Sequence, residues 1–143
     1  SGRTDLIKPI GHYFEAMGIC YQFVNDIQNI IGTDGAASPS SDLKRRAPNA
    51  VIVYFRSALE IQERMLFDNW LAGKSKIKAN HWQKKLMDSG AIVKAADEMN
   101  KLLIQAEGYS GTLPRECKVI IAPIQSQLRH VCEQIGAAYP KKI

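Results

Sequence analysis

The sequence predicts an all-α fold. Apolar residues recur at helical spacing through most segments, and no run alternates apolar with polar between hairpin turns. Gly32, Gly73, Gly90 and Gly108 fall between the periodic stretches, where helices end. At 143 residues and 15.9 kDa the chain is the size of one core, so residues 1–143 read as a single all-α domain or fragment. Hydrophobic residues at 45% and charged residues at 23% exclude collagen-like, low-complexity and disordered classes.

The first helix is expected from about Thr4 or Lys8 to Ile31, with Pro9 tolerated near its first turn and Gly32 as its stop. A long loop from Gly32 to Pro48 follows, rich in Gly, Ser, Ala and Pro and ending in the basic run Lys44, Arg45, Arg46. A second helix is expected from about Asn49 to Leu71. It carries Ile52, Phe55, Leu59, Leu66 and Trp70 inward and an exposed Glu60–Arg64 pair. After the lysine connector Lys74, Lys76, Lys78, Asn80 is expected to cap a short helix to about Met87. Ser89-Gly90 precedes a helix from Ala91 to Ala106. The last helix runs from near Pro114 to Ile135, kinked or broken at Pro123. Met17, Met65, Met87 and Met99 read as core filler, and Trp70 and Trp82 as packing residues.

Lys8, Asp26, Lys44, Arg56 and Arg64 interrupt every apolar run, so neither a membrane span nor a signal peptide is expected. Ser1 and Gly2 read as a cloning or cleavage remnant, which leaves room for upstream sequence. Cys20, Cys117 and Cys132 form an odd set without Cys-x-x-Cys spacing, which argues against a disulfide scaffold or structural zinc and makes a reducing cytoplasm the expected location. His12, His81 and His130 have no ligand spacing. The net charge of +5 and a pI near 9.2 suit an anionic ligand such as phosphate or diphosphate. A nucleic-acid module is the least supported reading, because the two tryptophans come with no nucleic-acid-binding motif.

One segment speaks about chemistry. On a helical wheel, Met17, Cys20, Val24, Ile27 and Ile31 share an apolar face, while Glu15, Gly18, Gln22, Asn25, Asp26 and Asn29 share another direction. This second stripe holds short amide and carboxylate oxygens and no Lys or Arg. Such oxygens suit Mg²⁺, which takes one or two carboxylates and fills its other positions with water and substrate phosphate. Asn and Gln on a helix also serve by bonding to neighbouring side chains or water, and on spacing alone that plainer reading is the stronger.

The run Met17-Gly18-Ile19-Cys20-Tyr21-Gln22-Phe23-Val24-Asn25-Asp26-Ile27-Gln28-Asn29 resembles the second aspartate-rich helix of trans-isoprenyl diphosphate synthases, the polyprenyl synthetase family. Ser41-Asp42-Leu43-Lys44 is similar to that family's Ser/Lys-Asp-Leu-Lys/Arg segment. Ala50 to Leu59, Ser89-Gly90-Ala91-Ile92 with Ala95 and Ala96, and Leu113-Pro114 resemble its later helices in order. The resemblance implies the C-terminal half of an isoprenoid synthase fold and a transferase of isoprenoid biosynthesis. Its activity is the Mg²⁺-dependent condensation of an allylic diphosphate with isopentenyl diphosphate. Asn25, Asp26 and Asn29 would stand at the metal motif, Lys44, Arg45 and Arg46 at the diphosphate, and Gly18, Tyr21 and Gln22 along the substrate pocket. The family's first aspartate-rich motif lies in an N-terminal half that would precede Ser1. The resemblance therefore implies that the chain is inactive alone and is completed by that half or by a partner chain, in a homo- or hetero-oligomer.

Two departures weigh on this chemistry. Amides at Asn25 and Asn29 replace two of the motif's carboxylates, and a neutral amide is a poorer Mg²⁺ ligand. The family's diphosphate-binding Lys and the Thr two residues on fall at Ala47 and Asn49, leaving Arg45 or Arg46 to supply the charge. These departures support a second reading, a non-catalytic partner subunit of a prenyl diphosphate synthase. A third is a class I terpene cyclase, whose Asn-Asp-x-x-Ser-x-x-x-Glu motif Asn25-Asp26 fits, with Asn29 and Thr33 at its last two positions.

Overall fold

A computed structural model describes residues 7–35 and 38–141; the expected start at Thr4 and the Ser1-Gly2 remnant lie outside them. Among the described residues the chain forms seven α-helices and no strand. They are α1 (Ile7–Ile31), α2 (Ser41–Lys44), α3 (Ala50–Ala58), α4 (Ile61–Leu71), α5 (Ala79–Asp88), α6 (Ala91–Ser110) and α7 (Arg115–Ala138). None of these helices is long and apolar enough to cross a membrane. The described residues gather into two compact units, one drawn from Ser1–Val24 with Ala96–Ile143 and the other from Asn25–Ala95.

In the Asn25–Ala95 unit, the end of α1 is closed by the chain that returns to it. Gly32 has a φ of +84°, which a side chain rarely adopts, and a Cβ there would lie 2.8 Å from the Pro39 ring. Its N–H and that of Thr33 both donate to the Gln28 carbonyl. Buried Ser40 then serves two of the last carbonyls of α1: its N–H donates to Asn29 and its Oγ to Ile30, each at 2.8 Å. The expected loop thus contains the short helix α2.

The expected single helix from Asn49 to Leu71 is two helices. Leu59 leaves α3 in an extended conformation, and the Arg64 side chain donates to the carbonyls of Arg56, Ser57 and Leu59, satisfying groups that a break would orphan. Arg64 therefore seals a helix end rather than pairing on an exposed face with Glu60. Arg56 grips Asp68 with two hydrogen bonds of 2.7 and 2.8 Å. Twelve residues along one straight helix would hold them about 18 Å apart, so the pair requires the fold-back. The Arg56 guanidinium holds the Asp68 carboxyl below its ordinary range. A carboxylate stabilised in the folded state contributes above its unfolded pKa and loses that contribution as pH falls through the lowered folded value. Asp68→Asn is accordingly expected to be slightly less stable than the parent at neutral pH. Urea melts of the two should converge as the pH drops through the acid range.

The core of this unit is aromatic. Phe67 lies 5.2 Å from Phe55, 5.9 Å from Trp70 and 4.9 Å from Trp82, ring centre to ring centre, and all four rings are essentially without solvent exposure. The packing role expected of both tryptophans holds, and their indole N–H groups are buried without an acceptor. Met65 and Leu66, expected inside, are exposed on α4, and Met87 is exposed on α5, whose N-cap is Lys78 rather than Asn80.

In the other unit, Tyr13, Ala16, Met17 and Cys20 of α1 are buried, as are Met99, Leu103 and Ala106 of α6 and Ile121, Leu128, Cys132 and Ile135 of α7. Tyr13 donates to Gln125 Oε1 at 3.1 Å, and burial, reinforced by the Glu107 charge, pushes its phenol above the ordinary value. Helix α6 continues past Gly108 to Ser110, where Ser110 and Thr112 hydroxyls cap the carbonyls of Glu107 and Tyr109. Helix α7 runs unbroken through Pro123. Val119 and Pro123 are both exposed there, so water is at hand for the carbonyl bond that proline cannot make.

Candidate functional site

The stripe that the wheel drew along α1 divides when folded. Glu15, Gly18 and Gln22 are exposed, Asn25 is half-buried, and Asp26 and Asn29 are buried, at 8% and 6% exposure. Between them their side chains hold Asp34, Ser41, Asp42 and Ala50.

Asp26 Oδ2 accepts the Ala50 N–H at 2.8 Å. That N–H belongs to the first residue of α3, where backbone donors lack partners and the helix dipole favours a negative charge. The Asp26 carbonyl accepts from Asn49 Nδ2 at 3.0 Å, and the Asn49 Oδ1 caps α3 by accepting the Val51 N–H at 2.8 Å. Asn29 commits both ends of its amide. Nδ2 donates to Asp34 at 2.8 Å and to Ser41 Oγ at 2.7 Å, and Oδ1 accepts the Asp42 N–H at 2.9 Å. Asp42 closes the set by accepting from Asn49 Nδ2 at 3.1 Å and from Arg45 at 2.8 Å.

The basic run is equally engaged. Arg45 pairs with Asp42, and Lys44 donates to Ser38 Oγ at 3.2 Å. Arg46 takes the left-handed conformation at φ +56°, lays its guanidinium 4.4 Å over the Trp70 ring and donates from Nε to the Trp70 carbonyl at 2.8 Å. A side chain in that region costs about 1–2 kcal/mol, which the stacked cation and its hydrogen bond offset. Arg45 and Arg46 are both exposed and Lys44 is half-buried.

The expected pocket residues Gly18, Tyr21 and Gln22 are all exposed, and a Cβ built at Gly18 meets open space. The same unit has a cleft of about 240 Å³, where His12 stacks on Tyr109 and Gln105 donates to the Tyr109 hydroxyl beside Glu15. Sequence reasoning did not single it out, because its polar residues come from α1 and α6, far apart in the chain.

As a donor set for Mg²⁺, Asn25, Asp26 and Asn29 offer one carboxylate and two amides. One Asp26 oxygen and the Asn29 oxygen are already aimed at backbone N–H groups. Among the described residues no three His, Cys, Asp or Glu side chains are grouped to hold a metal ion. The arrangement fits a clamp that fastens a loop and a helix start to α1 better than it fits a hard cation, which demands near-octahedral oxygen geometry. Asn49, Ser41 and Asp34 were the partners missed as a network. Their signal was local: Asn just before an apolar run, and Ser-Asp opening a turn of helix. No protein-family model, curated protein or solved structure matches the chain.

Proposed function

We propose that the chain is the C-terminal half of an isoprenoid synthase-type helical fold and that it acts as a non-catalytic partner subunit of a prenyl diphosphate synthase. The observation that carries this reading is the use made of the single carboxylate left in the metal motif. Asp26 accepts the first N–H of α3 while Asn29 spends its whole amide on Asp34, Ser41 and Asp42. Residues that a synthase would turn toward Mg²⁺ here hold the protein's own loop. Large apolar side chains, Phe14, Tyr21, Ile104 and Ile120 among them, are more than half exposed, and a partner subunit that covered them would remove that surface from water.

A second reading keeps the catalysis. In it Asn25, Asp26 and Asn29 contact Mg²⁺, Lys44, Arg45 and Arg46 close over diphosphate, and the N-terminal half that the resemblance implies completes the cavity for allylic and isopentenyl diphosphates. It is favoured by the open surface at Gly18, Tyr21 and Gln22, the three residues assigned to the substrate pocket. The metal would supply charge neutralisation of the departing diphosphate.

The two readings separate in one assay. Complete protein is incubated with an allylic diphosphate, isopentenyl diphosphate and Mg²⁺, alone and after addition of a competent synthase subunit. The partner reading expects no condensation product from the protein alone and a yield with the competent subunit that differs from that subunit's own. Product from the protein alone, abolished by Asp26→Ala in a variant that remains folded, would replace it with the catalytic reading.

A further inference from the structure

The three cysteines, scattered in sequence, do not stay scattered in space. Cys20 of α1 and Cys132 of α7 belong to the same unit, are both without solvent exposure, and bring their sulfurs to 3.8 Å across 112 residues of chain. The Cys20 thiol lies 3.5 Å from the Met99 carbonyl of α6, which it reaches as donor, so the sulfur contact is best satisfied with Cys132 donating to Cys20. That bond lowers the Cys20 thiol below its ordinary value against the opposing effect of burial, while donating the proton and being buried both push Cys132 up.

We propose that Cys20 and Cys132 are a paired redox modification site, oxidised by a low-molecular-weight disulfide to an internal disulfide that staples α1 to α7. In the first step the Cys20 sulfur attacks one sulfur of the small disulfide, forming a mixed disulfide and expelling one small thiolate, which takes up the proton Cys20 loses. In the second, Cys132 attacks the Cys20 sulfur. The bond to the small thiol breaks, the protein disulfide forms, and a second small thiol leaves with the Cys132 proton. The two protein sulfurs lose two electrons and the oxidant gains them. A disulfide needs its sulfurs about 2.05 Å apart, so the pair must close by a little under 2 Å, within reach of side-chain rotation and small helix adjustments. Neither thiol touches solvent, so exchange proceeds through transient local opening and is slower than attack on half-buried Cys117. Because the staple closes a loop of more than 100 residues, it restricts the unfolded chain strongly.

The test uses the full chain carrying Cys117→Ser, incubated with oxidised glutathione, quenched in acid, unfolded, alkylated and weighed intact. The expected product is two hydrogen masses lighter than the reduced chain, with no glutathione adduct and no alkyl label. Its thermal midpoint should rise by about 5–15 °C, a gain reversed by a thiol reductant. The same chain with Cys132→Ala should stop at a Cys20–glutathione adduct. A product in which both cysteines remain open to alkylation after prolonged oxidation would overturn the proposal, as would a terminal mixed disulfide in the Cys20–Cys132 chain or a disulfide-linked dimer.

Discussion

Phe67→Ala is expected to lower the unfolding free energy by about 3–5 kcal/mol, enough to consume much of the stability of an ordinary domain. The ring is wholly buried and is the member of the aromatic cluster that touches Phe55, Trp70 and Trp82 at once. Removing it opens a cavity between α3, α4 and α5 that three rigid neighbours cannot collapse to fill. Phe67→Leu should recover more than half of the loss, because a branched aliphatic side chain refills most of the volume. The adjacent Leu66, 51% exposed on the other side of α4, provides the contrast: Leu66→Ala should stay within about 0.5 kcal/mol of the parent. Urea denaturation followed by tryptophan fluorescence reads all three, since Trp70 and Trp82 flank the lesion. A Leu66→Ala loss as large as that of Phe67→Ala would mean that α4 turns a different face inward.

That contrast also marks how far the sequence could be read. Helical spacing along α1 identifies Met17, Cys20, Val24, Ile27 and Ile31 as inward-facing, and the first four are buried while Ile31, at the helix end, is half-buried, because local periodicity reports directly on which side of a regular helix meets a core. The same logic failed from Asn49 to Leu71. No Gly or Pro marks the break at Leu59, and the groups that make it stable, the Arg64 donors and the Arg56–Asp68 pair, act through contacts a wheel drawn on one continuous helix cannot represent. Once the helix divides, Met65 and Leu66 turn outward. Gly108 errs in the opposite direction, since the stop expected there is absorbed within α6, and of the kink or break expected at Pro123 the break does not occur. For the candidate site, the wheel correctly grouped Asp26 with Asn29. What the stripe faces was not legible, because the covering groups, the Ala50 and Asp42 N–H donors, are backbone atoms that every sequence possesses.

Asp26 is where the reading of the site as a clamp has its strongest consequence. Asp26→Ala is expected to cost about 2–3 kcal/mol, because it removes a charge-assisted hydrogen bond and leaves the half-buried first N–H of α3 without its acceptor. Asp26→Asn keeps an oxygen at the same height and should recover about half of that, since a neutral acceptor at a helix start loses the charge but not the bond. In the metal reading the order of effects is different. Saturating Mg²⁺, at about 100 times its dissociation constant, would add roughly 2.7 kcal/mol to the parent and nothing to either variant. Chemical denaturation of parent, Asp26→Asn and Asp26→Ala with and without Mg²⁺ distinguishes the two. The clamp predicts a graded loss that Mg²⁺ leaves unchanged, because the carboxylate's partner is a backbone proton supplied by the fold. Stabilisation of the parent by Mg²⁺ that vanishes in both variants would instead return Asp26 to the cation and restore the catalytic reading.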